Sequence, residues 1–202
     1  MLDLDIGSSG GGDFRPILKF NAKAGRFAYR NSEGEKEINP ISLIFDLGNI
    51  ATGWMLFREG QMPSRVYDPN NGTRAEKPSS DHKRGFTVLV AVPKDQVGEE
   101  NICEMSSTSM HLGNAIKEVW ASYREGCDAN QGKVPLITIK GVNASKDKFG
   151  TNYKPDLALD KWVDRPDGLA DAPAVFQIPS DDVAPIAAHQ APPSGNGAST
   201  EF

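Results

Sequence analysis

The sequence predicts a mainly β domain with one helix. Several segments are rich in β-branched and aromatic residues, which favour strands. Only one segment, residues 108–124, repeats apolar residues at the three- and four-residue spacing of an amphipathic helix. The strands do not alternate with helices as in βαβ folds. Together these observations favour a small, partly open barrel of the OB type. A sandwich carrying one helix is the alternative.

The first element is a basic hairpin in residues 14–32. Its turn is predicted at Ala24-Gly25, and its basic residues, with no acidic residue among them, are Arg15, Lys19, Lys23, Arg26 and Arg30. In the second arm the basic residues fall on one side of the strand, and the rings of Phe27 and Tyr29 fall on the other. Cations interleaved with rings are typical of proteins that bind single-stranded nucleic acid. An ordinary hairpin with a basic outer face and an aromatic inner face is the alternative.

The middle of the chain is predicted to form strands separated by one long loop. Residues 38–57 favour strand, with Gly48 and Gly53 as bends or bulges. Residues 58–84 are polar and rich in Pro, Asn and Gly, which predicts a surface loop of a length that is usually functional or disordered. Further strands are predicted at residues 85–92, 101–105, 134–140 and 153–163.

The single predicted helix spans residues 108–124. Its apolar face consists of Leu112, Ile116, Val119, Trp120 and Tyr123. A serine within residues 106–109 is the expected N-cap, and Gly126 is suited to end the helix. Between the last two strands, Lys146, Lys148 and Phe149 are predicted at an exposed hairpin tip.

The charge is distributed unevenly along the chain. The net charge is −5, yet residues 13–165 hold all 22 Lys and Arg against 20 Asp and Glu, a net charge of +2. Residues 1–12 form an acidic, Gly-rich leader that we expect to be flexible. Residues 166–202 contain six prolines and no Lys or Arg, so we expect a disordered acidic tail. This division predicts a basic groove on residues 13–165, which we call the body, and an acidic tail that competes with nucleic acid for that groove.

No motif indicates an enzyme or a cofactor. The sequence contains no G-x-S-x-G nucleophile elbow between a predicted strand and a predicted helix, no H-E-x-x-H zinc motif, no Walker A loop and no glycine-rich dinucleotide-binding motif. Its three histidines are scattered. Cys103 and Cys127 belong to no C-x-x-C pair and are expected to be free thiols in a cytoplasmic protein. Neither a signal peptide nor a membrane-spanning segment is predicted. Asp46, inside an apolar strand, is expected to have a hydrogen-bonding or capping role.

These features predict a nucleic-acid-binding surface. The residues expected to contact phosphates are Lys19, Lys23, Arg26, Arg30, Lys83, Arg84, Lys146 and Lys148. Arg65 is also expected to bind nucleic acid. The rings expected to stack on bases are Phe27, Tyr29, Trp54, Phe149 and Tyr153. Some of these rings must belong to the core, and Trp54 and Phe27 are the first candidates for that.

Five short blocks resemble bacteriophage and prophage single-stranded-DNA-binding proteins. They are FRPILKFNAKAGR at residues 14–26, NIATGW at 49–54, KRGF at 83–86, GKVP at 132–135 and FGTNY at 149–153. The resemblance covers residues 13–165. It implies an OB fold that coats single-stranded DNA during replication or recombination in a bacterial cell. It also implies a tail whose terminal Glu201-Phe202 contacts partner proteins, although tails of this type usually carry more acidic residues at the tip.

Two other functions remain open from the sequence. One is a phage protein-interaction or assembly module whose tail is a docking peptide. The other is binding of RNA or duplex DNA, although a net charge of +2 on the body is low for a strong duplex binder. Formation of a homo-oligomer through an exposed strand edge is also possible.

Overall fold

The computed structural model describes residues 15–69, 72–147 and 150–170. Within them, ten strands form one mixed sheet. The strands are β1 Ile17–Asn21, β2 Arg26–Asn31, β3 Gly34–Ile38, β4 Ser42–Phe45, β5 Ala51–Leu56, β6 Ser64–Tyr67, β7 Lys83–Ala91, β8 Ile102–Ser107, β9 Lys133–Asp147 and β10 Gly150–Asp164. The helices are α1 Lys94–Val97, α2 Met110–Gly126 and α3 Asp167–Ala170, with 3₁₀ turns at Leu47–Asn49 and Asp128–Asn130.

The sheet runs in the order β10-β9-β4-β7-β8-β1-β2-β3. Strand β7 is the branch point, since it pairs with β8 on one edge and with β4 and β5 on the other. Strand β6 pairs with β5. The contact between β1 and β8 is parallel, and the other pairings are antiparallel. Among the described strands β3 and β10 end the main path and β6 ends the branch, so the sheet does not close.

The core lies between one face of the sheet and helix α2. The predicted helix face is confirmed, because Leu112, Ile116 and Val119 are buried while Trp120 and Tyr123 pack partly buried against the same cluster. The predicted hairpin is confirmed as β1 and β2, and its turn contains Gly25 at a φ of +70°. By the alternation of strand side chains, the basic residues of β1 and β2 lie on the opposite face of the sheet, which we call the outer face.

Two strands and two single-turn helices were not predicted. Strand β3 carries exposed charges and buries only Ile38, and β6 is four residues long within the polar segment that was predicted to be a loop. Neither shows the apolar alternation on which strand prediction depends. Both lie at a sheet edge, where a strand needs few buried side chains. Helices α1 and α3 are too short to show a period.

Helix α3 lies inside the segment that we predicted to be disordered from residue 166. Leu169 is buried against Leu89 and Ala91 of β7. Arg165 forms an ion pair with Asp46, 2.9 Å apart, and donates a 3.5 Å hydrogen bond to the carbonyl of Leu169. The chain therefore forms a packed helical turn beyond residue 166, on the outer face of the sheet, and residues 171–202 lie outside the described ones.

Asp46 has the structural role expected for it. Its side chain is buried, and its Oδ2 atom accepts a hydrogen bond of 2.9 Å from the Asn49 side chain in addition to the Arg165 ion pair. No helix in the described residues is long and apolar enough to cross a bilayer.

Gly53 is required by the close approach of β6 to β5. A Cβ atom at this position would lie 2.3 Å from the carbonyl oxygen of Val66 and 2.8 Å from the Cα of Tyr67, and backbone atoms cannot move aside as a side chain can. We expect Gly53→Ala to lower the free energy of unfolding by about 1–3 kcal/mol. Urea denaturation measures this loss.

Gly113→Ala is the matched control for Gly53→Ala. Gly113 lies inside α2 with no atom within 4 Å of an added Cβ. This substitution is therefore expected to raise the stability by about 0.5–1 kcal/mol, because glycine is unfavourable in a helix interior. Equal effects of the two substitutions would contradict the steric account of Gly53.

Candidate nucleic-acid interface

An open groove crosses the outer face of the sheet. Its volume is about 1130 Å³. Its base is formed by residues of β1, β2 and β8 and by the start of β7, and its side by residues 57–63, the loop that joins β5 to β6. The basic side chains that line it are Lys19, Arg30, Arg58, Arg65 and Lys83. Four of these five were predicted to bind nucleic acid, and Arg58 was not.

Two of these cations are available to a ligand without breaking an ion pair. Within the described residues, Arg30 and Lys83 take part in no ion pair. Lys19 is paired with Glu35 at 2.6 Å and Arg58 with Asp81 at 2.8 Å, and both pairs are largely exposed. Exposed ion pairs contribute only about 0–1 kcal/mol. Phosphate can therefore replace the carboxylate partner of either cation at little cost.

Arg65 is held on the floor of the groove by Glu104. Their side chains are 21% and 13% exposed, and the guanidinium binds the carboxylate in a bidentate manner at 2.5 and 3.2 Å. Burial lowers the pKa of Arg65, but the hydrogen bond and charge of Glu104 outweigh it, so the pKa is raised overall. Arg65, which was predicted to bind nucleic acid, is thus a part of the floor whose charge is neutralised by Glu104.

The loop of the groove also exposes apolar side chains. Phe57 is 43% exposed and Met62 is 93% exposed, and both line the groove. Sequence reasoning did not select either residue. Phe57 was included in the preceding strand, and a single methionine in a polar loop carries no periodic signal. An exposed ring beside cations is suited to stacking on a base.

Phe27 and Tyr29 cannot stack on bases, so the stacking role predicted for them is wrong, while the alternative given for Phe27, a place in the core, is confirmed. They are 5% and 1% exposed and belong to the hydrophobic core. The hydroxyl of Tyr29 donates a 3.0 Å hydrogen bond to the carbonyl of Glu100, which satisfies its polar atom. The alternation along β2 that separates rings from cations places these rings on the face covered by the core.

Trp54 and Arg84 lie away from the groove. They are direct partners on β5 and β7, whereas Lys83, the neighbour of Arg84, faces the groove because successive strand residues point to opposite faces. The indole N–H of Trp54 donates a 2.8 Å hydrogen bond to the carbonyl of Ala75. Lys77 and Arg84 each lie 5.3 Å from the ring centre. Trp54 thus holds the long loop after β6 in place.

The remaining predicted residues lie at the other end of the hairpin or outside the described residues. Tyr153 is partly buried and packs against the turn at Gly25, while Lys23 and Lys146 are exposed. Arg26 pairs with Glu37 at 2.9 Å. None of these four lines the groove. Four further residues lie outside the described ones: Lys148 and Phe149, which were predicted to bind nucleic acid, and Glu201 and Phe202, which were predicted to bind a partner protein.

Asp68 is bound by Arg84, Thr52 and the backbone N–H of Ala75. The pKa of Asp68 lies below its ordinary value of 3.8, mainly because Arg84 donates hydrogen bonds to the carboxylate. Because the pKa is lower in the folded than in the unfolded state, this carboxylate stabilises the fold fully above about pH 5, and the contribution is lost as the pH falls below 3.8.

We expect Asp68→Asn to lower the free energy of unfolding at pH 7 by about 1–3 kcal/mol, a range typical of hydrogen bonds to charged groups. The variant should also lose less stability than the unaltered protein between pH 5 and pH 3, which urea denaturation at several pH values measures. Asp81→Asn is the control, because Asp81 pairs with Arg58 at the exposed surface. If both variants had the same pH dependence, the assignment to Asp68 would be wrong.

Comparison with known proteins provides no relative for this chain: no family model, curated protein or solved structure matches it. Within the described residues there is also no group of three or more His, Cys, Asp or Glu side chains that could hold a metal ion. The chemistry of the groove is therefore the basis for assigning a function.

Proposed function

We propose that this protein binds single-stranded DNA in the groove, without requiring a defined base sequence, and protects it during phage replication or recombination in the bacterial cytoplasm. The proposal rests on one observation. The groove combines cations that have no ion-pair partner among the described residues, Arg30 and Lys83, with the exposed side chains of Phe57 and Met62. A strand with unpaired bases offers both phosphates for the cations and flat faces for the ring.

The groove suits a single strand better than a duplex. A duplex presents phosphates outward and hides its base faces, so it would contact the cations but not Phe57. The body carries a net charge of only +2, which is little for a protein that depends on phosphate contacts alone. We propose a binding protein with no enzymatic activity.

We also propose that the sheet is an enlarged, partly open barrel related to the OB fold. Strand β7 pairs with three other strands, and the parallel contact of β1 with β8 joins the hairpin to them. This branched pairing supports a barrel-like arrangement more than a flat sheet. In OB folds the loops beside the exposed sheet face hold the strand, which agrees with the position of the loop 57–63.

We further propose that the acidic tail contacts replication or recombination proteins through Glu201 and Phe202. A terminal aromatic residue with its own carboxylate suits a pocket lined by basic and apolar groups. A protein-interaction module without DNA binding is the alternative function.

Fluorescence anisotropy of a labelled 20-nucleotide strand of mixed sequence, compared with its duplex, tests the proposed function. We expect tighter binding to the single strand, with log K falling by about 0.7 per phosphate contact for each tenfold rise in salt. A second chain ending at Ala170 tests whether the tail competes for the groove. That end point retains Leu169, whose loss would uncover Leu89 and Ala91.

Equal binding to strand and duplex would contradict the proposed specificity. If neither form of the protein bound DNA at low salt, the protein-interaction module would replace the proposal. Tighter binding by the shorter chain would support competition by the tail, and unchanged binding would contradict it.

A further inference from the structure

Glu104 is an acidic residue on the floor of a groove whose other charged residues are mostly basic. It lies on β8, directly opposite Ile17 of β1, and Ile17 is in turn opposite Arg30 of β2. Lys83 lies on β7, so β8 and β1 separate the two strands that carry the unpaired cations. Glu104 is therefore level with Arg30 and two strands away from it, a separation of about 10 Å. Lys83 lies six residues along β7 from Leu89, the residue opposite Glu104, so it lines the groove about 20 Å further along the strand direction.

The floor around Glu104 is electrically neutral and rich in hydrogen-bonding residues. Arg65 neutralises the charge of Glu104. Ser106, Ser107, Thr108 and Ser109, which follow Glu104 along the chain, also line the groove. A strand whose phosphates contact Arg30 and Lys83 leaves its bases as the groups that can meet this neutral floor.

A chain of hydrogen bonds fixes the orientation of the Glu104 carboxylate. Ser106 donates to Oε1 of Glu104 at 2.8 Å. Since the single hydroxyl proton of Ser106 is used there, Thr87 is the donor in its 2.8 Å contact with Ser106, and Tyr67 donates to Thr87 at 3.3 Å. Side chains locked in this way present their remaining acceptor sites in one direction.

One acceptor site of the carboxylate remains for a ligand. A carboxylate offers about four lone-pair sites. In the described residues Oε1 accepts from Arg65 and Ser106, whereas Oε2 accepts only from Arg65, at the longer distance of 3.2 Å. The Glu104 side chain is 13% exposed, and the residue lines the groove.

We propose that Glu104 reads the bases of the bound strand by accepting a hydrogen bond from an exocyclic amino group. Cytosine, adenine and guanine carry such a group, and a carboxylate is a known partner of the cytosine amine. Thymine and uracil lack it, and the carbonyl oxygens beside their N3–H group repel a carboxylate. The inference rests on the proposed function and adds a preference for base type, not for an order of bases.

The test compares labelled dC12 and dU12, whose bases differ at the position of the amino group. We expect the unaltered full-length protein to bind dC12 at least about 5-fold more tightly than dU12. This comparison requires no substitution, so it does not depend on whether a variant folds. An oligonucleotide of N4,N4-dimethylcytosine, which has lost the amino protons, is expected to bind as weakly as dU12.

Glu104→Gln and its matched control Glu59→Gln then assign the preference to a residue. A glutamine amide both donates and accepts, so Glu104→Gln should bring the ratio of the two dissociation constants to about one. Glu59, on the loop side of the groove, has no polar partner among the described residues. Glu59→Gln removes the same charge and should leave the ratio unchanged.

The outcomes separate this inference from the proposed function. Binding of dC12 and dU12 with equal affinity, or a ratio that survives Glu104→Gln, would overturn the role of Glu104 while DNA binding stands. Failure of both oligonucleotides to bind at low salt would overturn the proposed function, and the role of Glu104 with it.

Discussion

The double variant Arg30→Gln/Lys83→Gln is expected to bind single-stranded DNA about 25-fold more weakly than the unaltered protein at 0.1 M salt. Each phosphate contact to a single strand contributes about 0.7 to the slope of log K against log salt, which at 0.1 M corresponds to a factor of about 5. Removing two contacts therefore costs about 25-fold and lowers the slope by about 1.4. Anisotropy titrations at four salt concentrations measure both quantities.

The control for this prediction is Lys117→Gln/Arg124→Gln. Both residues are exposed on α2, outside the groove, and within the described residues neither forms an ion pair. The control changes the net charge by the same amount, so it measures any effect of overall charge. Equal weakening by the two double variants would mean that the groove is not the binding surface.

The second large effect is a contrast between two phenylalanines. Phe27 is 5% exposed and its ring centre lies 5.0 Å from that of Phe20, so Phe27→Ala should lower the free energy of unfolding by about 3–5 kcal/mol. A domain of ordinary stability has about 5–15 kcal/mol in total. Urea denaturation measures the loss, and the protein that remains folded should bind DNA with unchanged affinity.

Phe57→Ala should have the opposite pattern. The ring is 43% exposed, so little stability depends on it, whereas losing a stacking ring weakens binding by about 5- to 150-fold. Anisotropy measures this change on a variant whose urea midpoint is unaltered. If Phe57→Ala bound DNA normally, the ring would have no part in the interface.

Much of the fold was predictable because its signals are local. The turn at Gly25 and the face of α2 follow from residues within a few positions of one another. The branch at β7 could not be predicted, since it depends on pairings with β4 and β5, which lie about 30 to 50 residues earlier in the chain. The polar edge strands β3 and β6 left no pattern, because their pairing uses backbone atoms that every sequence has.

The candidate site was predictable only in part. Lys19, Arg30, Arg65 and Lys83 were selected from the density of positive charge, and the structure brings these four to one groove. That density does not reveal which cations are paired. Glu104, which neutralises Arg65, lies 39 positions further along the chain. The exposed ring of Phe57 was overlooked in favour of rings that are buried.

The sequence by itself determined that the chain is mainly β with one long helix, and that cations and rings separate to opposite sides of β2. Both follow from the periodic positions of side chains along a strand or helix. Only the tertiary structure decided which side became the core, which cations keep no ion-pair partner in the described residues, and that Glu104 lies in the same groove as these cations. Those outcomes depend on contacts between distant segments, which the order of residues along the chain does not display.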